Sequence, residues 1–235
     1  MKIGITGGTG VLHTPILDNA RQICVKTEYG DQNLLEVGGV YFIQRHEGDT
    51  PPHQIRHRRH FAAFRQLEVQ SIIAIASCGS LKKEIPPGSI VIPDDYIQLT
   101  PSATFYDKGL HFTIPEVDAG LRKIICETAR DEKLEVVPAG SYWHCVGPRF
   151  ETRAEIRLMA NFADIVGMTL GHEFSLAIEI RIPYAAICSI DNYSHGISEK
   201  RLTIAEVERR ACENRSRIVQ LVRSVINKLQ NGVTE

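Results

Sequence analysis

Much that would mark a function outright is missing from this 235-residue sequence. It has no run of about 18 apolar residues, so no transmembrane helix is available. The N-terminus, MKIGITGGTG, turns to glycine too early for the apolar stretch of a signal peptide. Lys and Arg number 27 against 28 Asp and Glu, a formal net charge of −1. That excludes a bulk basic field for nucleic acid and a long acidic tail. None of the 6 cysteines forms a CxxC pair, so zinc-knuckle and thioredoxin-like readings lose their usual support. GxGxxG and Gly-Lys-Ser/Thr loops are absent. So are internal repeats, low-complexity segments and linkers. Cysteines lying in apolar runs, such as Cys78 and Cys188, read as buried free thiols of a reducing cytoplasm.

What is present is an ordinary globular composition, 43% hydrophobic and 23% charged. The length suits one α/β domain over residues 1–235. Strand-like runs at Lys2 to Thr6, Val40 to Gln44, Ser71 to Ala76, Ser89 to Ile92, Asp164 to Met168 and Tyr184 to Ile190 alternate with helical patterns. SIIAIA, apolar throughout, reads as a central strand buried on both faces. Helices are expected over Ala119 to Glu132, Thr152 to Ala160, Glu173 to Ile180, and from Thr203 to the stop at Gly232. Thr203 with Glu206 predicts a capping box. The predicted fold is a single α/β domain with a central mixed, largely parallel β-sheet flanked by helices. Thr100 to Asp118 lacks periodicity and is long enough to be a functional loop.

Several strand exits carry groups suited to ligands. Gly7-Gly8-Thr9-Gly10 is either a tight turn or an anion nest with a hydroxyl added. Arg45-His46 leaves a strand end, where a guanidinium fork suits phosphate and a surface arginine is the plain alternative. Small residues in Ser77-Cys78-Gly79-Ser80 let backbone approach an anion. Cys78 has no neighbour in sequence to lower its pKa, which argues against a nucleophile. In Gly147 to Thr152, Phe150 offers a face for a flat ligand and Glu151 two acceptors; the alternative is a helix start. Asp191 and Asn192 are either turn formers or base-reading groups. The basic, His-rich run His53 to His60 reads as a solvated helix face or a subunit contact, without metal-ligand spacing.

The order of these motifs is more specific than any one of them. GGTG, then RH, PPH, SCGSL, PGSIVIPDD, TFYD, GPRFET, RAE, GMT and SIDNY resemble the methylthioadenosine phosphorylase branch of the purine nucleoside phosphorylases. The resemblance runs from about Ile3 to Ser198, with GPRFETRAE and IVGMT its most specific pieces. It implies phosphorolysis of the N-glycosidic bond of a purine nucleoside, with phosphate as co-substrate and no metal or organic cofactor. It also implies a homotrimer or a multiple of one. Thr9, Arg45, His46, Ser77 and Thr169 would hold phosphate. Met168 would lie against the ribose, and Phe150 would stack on the base. Glu151 and Asn192 would read the purine edge and act in catalysis. His111 would reach the 5′ end of a neighbour's nucleoside.

The sequence also departs from that family's pattern. Glu47 stands where Gly usually follows Arg-His, placing a negative charge close to the expected phosphate site. Arg56-His57-Arg58-Arg59-His60 replaces Asn-Tyr-x-Ala-Asn, Val146 replaces Glu, and His172 replaces Pro. Glu151 accepts from the N1–H of a 6-oxopurine, and Asn192 can donate to O6. Inosine-type nucleosides are therefore expected over adenine ones, with methylthioadenosine phosphorolysis as the alternative. A nucleoside- or phosphate-binding protein without catalysis, or a hydrolase, would fit a decayed phosphate site. A nicotinamide dehydrogenase would need the missing GxGxxG.

Overall fold

The computed structural model describes residues 1–8, 14–199 and 202–232. The elements run β1 (Ile3–Gly7), β2 (Arg21–Thr27), β3 (Gly30–Val37), β4 (Val40–Gln44), α1 (His57–Gln66), β5 (Ser71–Ser80), β6 (Ile90–Val91) and β7 (Asp95–Ile97). There follow α2 (Ala119–Asp131), β8 (Ser141–His144), α3 (Arg153–Met159), β9 (Ile165–Gly167), α4 (Leu170–Ile180), β10 (Tyr184–Tyr193) and α5 (Ile204–Asn231). Among the described residues, ten strands form one sheet in the order β2-β3-β4-β1-β5-β9-β8-β7, with β10 pairing β5 and β6. The pairs β4–β1, β1–β5 and β5–β10 are parallel, while β2–β3, β3–β4, β5–β9 and β6–β10 are antiparallel. The sheet is therefore mixed, with a parallel centre.

The centre is buried on both faces, as the apolar runs require. In β5, Ile72 and Ala74 pack with Phe61, Phe64 and Phe174 beneath α1 and α4. The alternate residues Ile73 and Ile75 pack with Leu121, Leu221 and Val225 beneath α2 and α5. In β10, Ala186 and Ile187 divide in the same way. A one-residue slip would exchange two complete sets of core contacts.

The helix termini follow from local chemistry. The Thr203 hydroxyl accepts from the Glu206 amide at 3.3 Å, and α5 ends at Gly232. At α3, Thr152 and Glu155 form both halves of a capping box. Two features differ from expectation. The β2–β3 hairpin carries charged residues on an outer edge and gave no apolar signal. And α1 is not a solvated face, because His57, Arg59 and His60 are all buried.

Candidate active site

The C-terminal ends of the parallel central strands converge, which is where open α/β sheets bind ligands. A cavity of about 350 Å³ opens there, within the range of small-molecule sites. Arg45 and His46 enter it from the end of β4, Ser77 from β5, Thr169 from the start of α4, and Asn192 from β10. Phe150, Glu151 and Met168 complete the wall opposite. Thr9 lies outside the described residues, although its neighbour Gly8 lines the cavity. His111 does not line it; that residue is exposed in the long loop, stacked on Tyr106 at 4.3 Å between ring centres. Leu110, Phe112 and Ile114 beside it are 82–90% exposed.

Arg45 is almost wholly buried and tightly bound. Its Nε donates to Glu173 Oε1 at 2.5 Å, and Nη2 donates to Glu173 Oε2 at 3.2 Å and Thr6 Oγ1 at 3.1 Å. Nη1 donates to the Ile75 carbonyl at 3.0 Å. Of the five guanidinium hydrogens, one on Nη1 is left uncommitted among the described residues. Burial works against both charges; the mutual attraction overcomes it, raising the Arg45 pKa and lowering that of Glu173. Thr6 and Tyr184 hydroxyls, each at 2.8 Å, complete the Glu173 carboxylate. Sequence spacing gave no hint of Glu173, which sits inside a regular helix.

His46 is bonded through Nδ1 to the Thr50 carbonyl at 2.8 Å. A carbonyl only accepts, so Nδ1 carries the hydrogen. Burial lowers the ring's pKa, and nearby Arg45 adds to that. Neutral His46 thus has Nε2 as an acceptor. The Tyr142 hydroxyl accepts from Thr169 N at 3.2 Å and Leu170 N at 3.3 Å, fixing the start of α4 beside the cavity.

Glu47, expected close to the predicted phosphate residues, does not point into the cavity they line. It is absent from the cavity wall, and its carboxylate turns towards α1. Arg59 and Gln32 donate to it, the latter at 3.0 Å, and His60 Nε2 lies 3.7 Å away. Led by His60, these groups hold its carboxyl at about 2. Its φ of +42° is strained for a residue with a Cβ and is held by these contacts. Beyond His60 lies a buried histidine group. His57 and His60 stand 6.2 Å apart between ring centres, His57 and His172 5.0 Å, and His172 and His144 4.6 Å. No ring nitrogen of His57, His60 or His144 has a hydrogen-bond partner among the described residues. His57 Nδ1 is 3.7 Å from Glu173 Oε1, which links the group to Arg45.

Of the residues expected to meet the base, Glu151 and Asn192 are 8% and 6% exposed, while Phe150 is 43% exposed. Gly79 makes this arrangement possible. A Cβ there would meet Ser194 Oγ at 2.5 Å and Asn192 Nδ2 at 3.1 Å. Gly147, at φ +72°, likewise leaves room for Met168, whose Sδ would be 2.6 Å from a Cβ. Cys145 faces Glu151, and burial followed by that carboxylate pushes its thiol upward. Cys78 is buried, and Cys188 together with burial raises its pKa far from the thiolate, in keeping with an unreactive thiol. Asp191, read from sequence as a turn former or base-reading group, also lines the cavity, as do Ser189 and the apolar side of α5, which were assigned no role from sequence.

A family model described as phosphorylase superfamily matches residues 2–227. The chain belongs to the phosphorylase superfamily. It is 37% identical to a probable 6-oxopurine nucleoside phosphorylase of Archaeoglobus fulgidus, with 97% of this chain and 96% of that one covered. It is 35% identical to a probable S-methyl-5′-thioinosine phosphorylase of Methanocaldococcus jannaschii, over 96% and 92% of the two chains. It is 38% identical to the S-methyl-5′-thioadenosine phosphorylase of Pyrococcus horikoshii, over 97% and 93%. Among solved structures, methylthioadenosine phosphorylase from Schistosoma mansoni in complex with adenine superposes with a TM-score of 0.90. There the identity is 24%, over 98% of this chain and 92% of that one. The phosphorylase fold is thus shared where sequence identity is low. Among the described residues, no helix is long and apolar enough to cross a membrane, and no His/Cys/Asp/Glu group could hold a metal ion.

Proposed function

We propose that this phosphorylase cleaves the N-glycosidic bond of 6-oxopurine nucleosides with inorganic phosphate, giving free base and a sugar 1-phosphate. The observation that carries the reading is the meeting of Glu151 and Asn192 with Arg45, His46, Ser77 and Thr169 in one cavity. Breaking the bond builds positive charge on the sugar and negative charge on the purine. Phosphate stabilises the first and attacks the sugar carbon. Holding both reactants in line supplies much of the acceleration.

The charge of Arg45 is already balanced by Glu173. Phosphate is therefore held mainly by neutral donors: the Ser77 and Thr169 hydroxyls and backbone N–H groups near Gly8, with one Arg45 hydrogen added. Neutral His46 accepts a phosphate hydroxyl through Nε2. At the base, ionised Glu151 accepts N1–H and repels the bare N1 of adenine, and the Asn192 amide donates to O6 or N7. Val207, Ala211 and Val219 of α5 give the cavity an apolar wall, which favours a methylthio group over a hydroxyl at the 5′ carbon. The exposed Leu110, Phe112 and Ile114 around His111 fit burial against a second copy of the chain, in a homotrimer that brings His111 to a neighbour's site.

The deciding assay incubates the protein with inosine, guanosine, methylthioinosine and their adenine counterparts, with and without phosphate. Phosphate-dependent release of hypoxanthine or guanine is expected to exceed release of adenine. Faster adenine release overturns the base assignment, and phosphate-independent release overturns phosphorolysis.

A further inference from the structure

Among the described residues, the cavity wall holds two arginines, Arg45 and Arg215, and no lysine. Arg45 is committed to Glu173. Arg215 is committed to no carboxylate. Its neighbours on α5, Arg209 and Arg210, share Glu213, whereas Arg215 forms no ion pair among the described residues. Its Nη2 donates to the Cys212 sulfur at 3.6 Å, a weak acceptor. Val207, Ala211 and Arg215 recur at intervals of four and so lie along one face of α5, the face turned to the cavity. A helical side chain leans over the turn that precedes it, and the Cys212 contact shows Arg215 doing so. The guanidinium is thereby carried back towards the turn that holds Ala211. Arg215 is also exposed, which places it at the mouth of the cavity and not on its floor. An apolar wall that ends in a free cation suits a ligand with an apolar spacer and an anionic end.

We propose that Arg215 makes this a site for nucleosides whose 5′ substituent is a thioether chain ending in a carboxylate. The proposal rests on the phosphorolytic reading above and extends its assignment of α5 to the 5′ end. The sulfur and methylene groups lie against Val207, Ala211 and Val219, and the carboxylate accepts from the guanidinium fork. Ala211 is the smallest side chain of that stretch and leaves room for the chain to pass. Residues 211 and 215 are about 6 Å apart along the helix axis, a span that a short thioether chain covers. A phosphate attached directly to the 5′ carbon would instead set its charge against the apolar wall, which disfavours nucleoside 5′-phosphates. The reaction at the sugar is unchanged. An oxygen of HPO4²⁻ bonds to C1′, the C1′–N9 bond breaks with its electron pair passing to the purine, and the proton of HPO4²⁻ ends on the released base.

The test measures phosphate-dependent kcat/KM for four nucleosides. They are methylthioinosine, 5′-deoxy-5′-(3-carboxypropylthio)inosine, the carboxamide of that chain, and inosine 5′-phosphate. The carboxamide has the same shape as the carboxylate and no charge, so their ratio isolates the anionic end. The carboxylate is expected to be at least about 5-fold better than the carboxamide at low ionic strength, and salt is expected to shrink the advantage. Arg215→Gln is expected to bring the ratio to about 1, and Arg215→Glu to invert it. Inosine 5′-phosphate is expected to be the poorest of the four. A carboxylate no better than its carboxamide overturns the proposal, as does an advantage that survives Arg215→Gln or an inosine 5′-phosphate cleaved faster than the thioethers. Cleavage of methylthioinosine without cleavage of the carboxylate chain overturns this proposal alone. If no nucleoside is cleaved with phosphate, the phosphorolytic reading fails first and takes this assignment with it.

Discussion

Acidification between pH 7.5 and 5.5 is expected to destabilise this protein sharply, before its carboxylates begin to titrate. The cause is the buried histidine group. Burial lowers the pKa values of His57 and His60, and brings that of His144 to about 3. Each folded-state value lies below the unfolded value of about 6.5, so each histidine stays neutral in the fold and takes up a proton on unfolding. Their contribution is complete above pH 6.5 and is lost as pH falls. For a histidine kept neutral throughout, as His144 is, the loss between pH 7.5 and 5.5 is about 1.4 kcal/mol, and His57 and His60 add to it in the same direction. An ordinary folding free energy is only about 5–15 kcal/mol, so losses of this size are readily measured. Asp191 works in the opposite sense, because its pKa is raised in the fold. One group changes stability by at most about 1.4 kcal/mol per pH unit, so Asp191 cannot cancel three histidines over this window.

The carboxylates Glu47, Glu173, Glu36 and Glu132 all have lowered values and act only below about pH 4.5. The assay is urea unfolding in a phosphate-free buffer at half-unit steps from pH 7.5 to 5.5. Stability should fall with decreasing pH, and His144→Gln should flatten the slope by close to one proton. Unfolding free energies that stay level or rise on acidification refute the reasoning.

Removing one partner of the buried Arg45–Glu173 pair strands the other. Arg45→Ala or Glu173→Gln should each cost about 3–5 kcal/mol in chemical denaturation, and a loss under 1 kcal/mol would show that the pair is hydrated. Arg45→Ala should also weaken phosphate saturation, so phosphate KM is measured only where the variant remains folded. Glu47→Ala leaves buried Arg59 without its carboxylate and should cost about 1–3 kcal/mol. It should not tighten phosphate binding, and a lower phosphate KM would place the carboxylate in the site after all. Asn192→Asp should erode the preference for 6-oxopurines by about 5- to 150-fold in the ratio of kcat/KM values for methylthioinosine and methylthioadenosine.

The strand ends were legible because a buried strand must be apolar and its exit must not be. SIIAIA, VYFIQ and the start of β10 state where the sheet lies, and Ser77, Arg45 and the Asp191-Asn192 pair follow as the first polar groups beyond these runs. The motif order then grouped side chains that are up to 147 positions apart between Arg45 and Asn192. What stayed hidden depends on partners in three dimensions. Glu173 looks like any helical glutamate until Arg45 is placed beside it at 2.5 Å. Asp191 looks like a turn former, because a bulge shifts which face a residue meets and leaves no mark in composition. The edge hairpin was invisible for the opposite reason: its strands bury little, so periodicity has little to report.

The basic run was misread through charge counting, and the error is instructive. Three arginines and two histidines in five positions suggest solvent, since such groups are seldom buried without partners. The partner was visible in sequence as Glu47, which looked like a separate anomaly ten residues earlier. Glycine at that turn would be free of strain at positive φ but would offer nothing to a buried arginine. Glutamate accepts the strain and supplies the acceptor that Arg59 and Gln32 need. His172 extends the same polar patch from α4, in contact with His57 and with Gln98 at 3.3 Å. Three of the four departures from the family's pattern, all but Val146, are therefore one rearrangement behind Arg45 and His46. It ends at Glu173, the counter-ion of Arg45, and so leaves the cavity wall itself intact.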